Sequence, residues 1–195
     1  MTSSYLIPIT GRPNAGKTSL INFLASTKRP IGKKAGTTLR ITKIHLIKDL
    51  FLVDLPGFGR ITKRSREIEN EIKTEIVQYI ENLSKHFLFA IHIIDFSTFH
   101  FMVQNLEQKG IIPIDIELIQ FIAEETTRTP FIVLNKIDKI KQSLIEQNLD
   151  LLRSYDLPEI EIFLLSLKTN KGCRFFRNRV KKVIVQELGS RYQNW

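Results

Sequence analysis

At 195 residues and 43% hydrophobic composition, the chain is long enough for one sizeable α/β core and short for two. Its 29 lysines and arginines against 20 aspartates and glutamates leave a formal charge of +9, which favours a polyanionic partner such as RNA or an acidic surface. The single cysteine, Cys173, excludes an internal disulfide and a cysteine-based metal cluster. With no secretory leader and no run of about 18 apolar residues, a cytoplasmic protein without membrane contact is expected.

Short apolar runs alternate with longer stretches of helical period. YLIPI comes first, followed by GRPNAGKT and the helical KTSLINFLAS. GRPNAGKT fits GxxxxGK[ST], with a strand before it and a helix after it. Across Gly11, Arg12, Pro13, Asn14, Ala15 and Gly16 the two terminal glycines let the backbone curl, so that successive N–H groups and the positive helix end face phosphates. Lys17 would reach the β and γ phosphates, the Thr18 hydroxyl would ligate Mg²⁺, and Ser19 is placed to donate to the α-phosphate.

ITKIHLIK precedes FLVDL with only KDL between them, too short for a parallel crossover, so this strand is expected to pair antiparallel. FLVDL runs into DLPG. There Asp54 can hold a magnesium shell through water, Leu55 and Pro56 shape the turn, and the Gly57 N–H can meet a γ-phosphate. In REIENEIKTEIVQYIENL, Ile68, Ile72, Ile76 and Ile80 recur every four residues as a core-facing stripe.

FAIHIIDF and DIELIQFIAEE are read as the next strand and helix, and FIVLN and SLIEQNLDLLRS as the pair after that. NKID closes FIVLN, at the strand end where ligands gather in open α/β sheets. The Asp138 carboxylate can accept from the ring N–H and exocyclic amine of guanine, a donor pair adenine lacks. Lys136 would lie along the base plane, and Asn135 would tie this loop toward the phosphate loop. In IFLLSL, the turn Ser166, Leu167 and Lys168 can offer backbone N–H groups to the guanine carbonyl. CRFFRNRVKKVIVQEL is the last helix. Strands reading as continuous Ile, Leu, Val and Phe are covered on both faces. The expected fold is therefore α/β, a six-stranded mostly parallel sheet with one antiparallel strand and helices on both faces.

Taken in order, these boxes resemble a GTPase of the Ras-like P-loop NTPase class across nearly the whole chain. Within that class GRPNAGKTSLIN and the compact DLPGFG are similar to the EngB (YihA) family, and IPIDIELIQFIAEETTRTPFIVLNKIDKIK to its archaeal branch. The resemblance implies a single G domain over residues 1–195, GTP and GDP as ligands, Mg²⁺ as cofactor and a role in assembly of the large ribosomal subunit. It also places the first switch in GTTLR, with Gly36 at its start and Thr38 as the metal-binding hydroxyl, Thr37 being the alternative.

Ras-type enzymes follow DxxG with a glutamine that positions the attacking water. This chain has Phe58 there, whose ring cannot orient water, so slow hydrolysis by the isolated protein is expected. An asparagine at the Asn14 position helps hold K⁺ in potassium-activated GTPases. K⁺ is therefore a candidate second cation here, the alternative being that Asn14 only braces the loop. Lys17, Asn14 and Thr38 are the residues expected to act on the γ-phosphate, and no side chain stands out as a general base.

Basic residues concentrate in Arg60, Lys63, Arg64 and Arg66 after DLPGFG, and in Arg174, Arg177, Arg179, Lys181 and Lys182 of the last helix. Either could bind the large ribosomal subunit or its rRNA precursor. Of the nearby aromatics that could stack on bases, Phe175 and Phe176 read first as core, leaving Tyr192 and Trp195. The protein is expected to be a monomer. Two readings stand: a slow GTPase switch, or a GTP-gated RNA- or protein-binding module in which hydrolysis is incidental.

Overall fold

In the computed structural model, residues 4–27, 40–57 and 66–195 are described. Six strands form one sheet in the order β2-β3-β1-β4-β5-β6. They are β1 (Tyr5–Thr10), β2 (Thr42–Ile47), β3 (Leu50–Asp54), β4 (Ile91–Asp95), β5 (Phe131–Asn135) and β6 (Glu161–Leu164). β1 pairs parallel with both β3 and β4, and the parallel ladder continues through β5 to β6. β2 alone runs antiparallel, against β3, joined by the tight turn that the short KDL segment demands.

Helices α1 (Lys17–Ala25) and α6 (Cys173–Leu188) cover one face. Their Leu20, Ile21, Leu24, Phe176, Val180 and Ile184 pack on Ile7, Ile9, Leu52, Ile93 and Val133. On the other face lie α2 (Arg66–Leu83), α3 (Phe99–Glu107), α4 (Ile114–Glu125) and α5 (Gln142–Arg153). Alternate residues of each strand feed opposite layers, so Ile132 and Leu134 join the second core while Phe131 and Val133 join the first. That two-sided burial is why the strands read as unbroken apolar runs.

Three expectations need correction. One helix was expected between FAIHIIDF and FIVLN; the structure has two, because Gly110 in the left-handed region (φ 65) ends one and Pro113 caps the next. The isoleucine stripe of α2 is core-facing only at its far end. Ile76 and Ile80 are buried, Ile72 is half-buried and Ile68 is 44% exposed. A helix of 18 residues rises about 27 Å, beyond the roughly 17 Å of a five-residue strand, so its first turns overhang the sheet. Finally, Phe176 is core but its neighbour Phe175 is 72% exposed, since adjacent helical positions point about 100° apart.

β1 lies where the chain's crossovers reverse direction, with β3 on one side and β4 on the other. The crevice beyond the C-terminal ends of these strands is the position at which open α/β sheets bind ligands.

Candidate functional site

At that crevice β1 ends at Thr10 and the backbone turns through Gly11 (φ 140), Asn14 (φ 65) and Gly16 (φ 114) before α1 begins at Lys17. A side chain at Gly16 would stand 2.4 Å from Asn135 Nδ2, so only glycine fits both the dihedral and the space. Asn14 is exposed at the loop's outer edge and takes the left-handed conformation that asparagine tolerates better than most residues. Thr18 and Ser19 lie half-buried in the first turn of α1, which carries no acidic residue to neutralise its positive end.

The Lys17 side chain folds back over the loop, its Nζ donating to the Gly11 carbonyl at 2.9 Å and the Arg12 carbonyl at 3.0 Å. Burial pushes the Lys17 ammonium down to about 8, partly offset by the negative charges of Asp54 and Asp115. Burial disfavours the charged ammonium, a cost that incoming phosphate oxygens would offset.

Asp54 closes β3, and Asp54, Leu55, Pro56 and Gly57 are all buried. Gly57 lies directly against the phosphate loop, since a Cβ there would stand 2.9 Å from Pro13 N. Thus the second box is brought into contact with the first through tertiary structure, Gly57 and Pro13 being 44 residues apart in sequence.

Asn135 supplies the third connection. Its Nδ2 donates to the Ala15 carbonyl at 2.8 Å, and its Oδ1 accepts from the Leu167 N–H at 3.2 Å. One buried amide therefore holds three loops. Asp138 is exposed at the mouth, its Oδ1 accepting from the buried Ser166 hydroxyl at 2.6 Å, and Ser166 Oγ in turn accepts from the Thr169 N–H at 3.1 Å. That hydroxyl, more than any other group, holds the Asp138 carboxyl below its usual range, with nearby Lys168 and Lys139 adding to it. Phosphate loop, DLPG, NKID and SLK thus converge on one crevice.

A family profile described as 50S ribosome-binding GTPase matches residues 7–136. The probable GTP-binding protein EngB of Methanococcus aeolicus is 41% identical over 144 residues, 74% of this chain and 63% of that protein. The one from Pyrococcus horikoshii is 33% identical over 190 residues, covering 95% of this chain and 86% of that one. The chain belongs to the EngB family of GTP-binding proteins. A crystal structure of a probable GTP-binding protein EngB superposes with a TM-score of 0.81 at 32% identity, covering 93% of this chain and 99% of the other. The alignment reaches less than two thirds of the length of the Methanococcus aeolicus EngB.

Of the EngB switch residues expected from sequence, Gly36, Thr37, Thr38, Phe58, Arg60, Lys63 and Arg64 lie outside the described residues, as does the Arg66 side chain. Among the described residues no three His, Cys, Asp or Glu side chains converge as a metal cage. The donors at hand for Mg²⁺ are the Thr18 hydroxyl and, through water, Asp54, a set that fits an ion taking most of its shell from phosphates and water. No described helix is long and apolar enough to cross a membrane.

Two groups of residues were not singled out from sequence. Asp95, at the end of β4, accepts an ion pair from Lys136 Nζ and also takes the Ser97 hydroxyl at 2.6 Å. Lys136 sits in the left-handed region (φ 69), at a cost of roughly 1–2 kcal/mol that this anchoring offsets. An aspartate ending a buried strand was the available signal, but its partner lies 41 residues away. Directly beneath the phosphate loop, Thr10 Oγ1 meets His92 Nδ1 at 2.8 Å and His92 Nε2 meets Asp115 Oδ1 at 3.1 Å, all three about 1% exposed. With the Thr10 hydroxyl donating to Nδ1, Nε2–H donates to the carboxylate.

Proposed function

We propose that this chain binds GTP and GDP with Mg²⁺, hydrolyses GTP slowly, and acts as a nucleotide-dependent switch on the large ribosomal subunit or its rRNA precursor. The observation that carries the reading is the Asn135 amide, which joins the phosphate loop at Ala15 to the base-reading loop at Leu167. A base held by Asp138 and phosphates held by residues 11–19 are then positioned by one side chain.

In this reading Lys17 leaves the Gly11 and Arg12 carbonyls for the β and γ phosphates, and the first-turn N–H groups of α1 donate to the phosphate oxygens. Thr18 and Thr38 supply metal-binding hydroxyls, and the Gly57 N–H, already against Pro13, registers the γ-phosphate. Mg²⁺, and K⁺ as a further candidate beside Asn14, supply positive charge to the phosphates when bound. Asp138, held ionised by Ser166, selects guanine. With Phe58 in the place of a water-positioning glutamine, turnover by the protein alone is slow and the ribosomal partner accelerates it.

The test is GTP turnover in K⁺ and in Na⁺ buffer, alone and with large-subunit precursor particles, with Asn14→Ala as control. Stimulation by particles that requires K⁺ and Asn14 is the expected result. Equal rates in both salts, with and without particles, refute the cation-assisted part. Tight GTP-dependent docking with no gain in turnover under any condition supports the binding-module reading instead.

A further inference from the structure

α6 carries cations that no carboxylate answers. Arg179 pairs with Glu161, but among the described residues Arg174, Arg177, Lys181 and Lys182 form no ion pair. Arg174, Arg177 and Lys181 follow the i, i+3, i+7 spacing that lines one side of a helix. Along this side two rings are gathered. The Arg177 guanidinium carbon lies 5.7 Å from the Phe23 ring centroid of α1 and 5.4 Å from that of Trp195, and Lys181 Nζ lies 5.3 Å from the Trp195 centroid. The Arg177 guanidinium also donates to Ser26 Oγ at 3.3 Å, tying α1 to α6. Trp195 Nε1 and Arg177 Nε are shielded from water and meet no acceptor among the described residues.

Both rings keep part of their surface in solvent, whereas Tyr192, the other aromatic considered for stacking, is fully buried with its hydroxyl bonded to Asp49. Uncompensated cations and two partly open rings form a surface whose missing complement is negative and planar. Phosphates answer the cations and bases answer the rings. An acidic peptide without aromatic side chains would leave the rings unanswered.

We propose that the face formed by Arg174, Arg177 and Lys181 with Phe23 and Trp195 binds an unpaired RNA strand, a surface that rests on the ribosomal reading above and gives it a contact point. None of these residues belongs to the nucleotide site.

Trp195 is the only tryptophan, so its fluorescence reports on this face directly. Titration of the full chain with a short oligouridylate is expected to quench it, with log affinity falling against log salt with a slope of roughly −2 for three phosphate contacts. Arg174→Glu with Lys181→Glu, and separately Trp195→Ala, are expected to weaken binding of a dye-labelled oligouridylate at least tenfold while GDP affinity stays as in the wild type. Unchanged RNA affinity in both variants overturns the proposal, as does displacement of the RNA by polyglutamate at equal charge concentration. Co-sedimentation with large ribosomal subunits separates the two readings. If the wild-type chain binds subunits but oligouridylate leaves Trp195 fluorescence unchanged, this face is refuted and the ribosomal reading stands; if it binds neither, both fall.

Discussion

Replacing Asn135 by alanine removes a buried amide that donates to the Ala15 carbonyl at 2.8 Å and accepts from the Leu167 N–H at 3.2 Å. Each bond contributes about 1 kcal/mol net, but the backbone groups left behind are shielded from water, and an orphaned buried donor or acceptor costs about 1–3 kcal/mol. The truncation also leaves a gap beside Gly16, whose missing Cβ would have stood 2.4 Å from the lost nitrogen. The sum is a loss of about 3 kcal/mol, which for a domain of this size lowers Tm by roughly 6–12 °C. The loss is shared with ligand binding, because phosphate and base loops no longer arrive prealigned. At about 1.4 kcal/mol per decade, GDP affinity is expected to fall at least tenfold. Urea denaturation of the nucleotide-free protein and titration with a fluorescent GDP measure the two parts separately. Asn135→Asp is the second variant, keeping Oδ1 for the Leu167 N–H while setting a carboxylate against the Ala15 carbonyl. If Asn135→Ala leaves both stability and GDP affinity within twofold of the wild type, the amide does not join the loops and the reasoning fails.

Lys17 in the nucleotide-free site has its pKa lowered to about 8, and bound phosphates raise it, so binding takes up a proton. GDP affinity is therefore full below about pH 8 and falls up to tenfold per pH unit above it; Lys17→Arg, which stays charged, controls for titration of the base, and a wild-type profile parallel to that of Lys17→Arg contradicts the prediction. Asp138→Asn loses an ionised acceptor for two guanine donors and is expected to weaken GDP at least 100-fold while improving xanthosine diphosphate, whose C2 carbonyl oxygen accepts from the new amide. Competition between the two nucleotides reads this out, and equal preference refutes the base-reading role. His92→Leu strips the buried Asp115 of its hydrogen-bond donor and costs about 3 kcal/mol; His92→Leu with Asp115→Leu recovers most of it, and a double variant as unstable as the sum of the singles would show that the pair is not coupled.

The boxes and the order of strands and helices were legible in the amino-acid sequence because each rests on a local rule. A strand covered on both faces reads as an apolar run, and α6 spans the stretch expected for it, Cys173–Leu188, with Gly172 and Gly189 at its two ends. The antiparallel β2 followed from the length of KDL alone. By contrast, the split between α3 and α4 hangs on Gly110 and Pro113 inside a stretch otherwise apolar enough for either arrangement.

What the sequence determined by itself was which boxes are present and in what order: GRPNAGKT between a strand and a helix, DLPG followed by Phe58, NKID at a strand end and the SLK turn. Tertiary structure decided which groups meet. Asn135 reaches Ala15 across 120 residues, Lys136 finds Asp95, His92 joins Thr10 to Asp115, and of two adjacent phenylalanines one enters the core and the other faces water. Local preference acts over a few residues, whereas these partners are set by strand order and by which side of the sheet a helix covers. The energy that chooses among them is the burial of surfaces that no single segment contains.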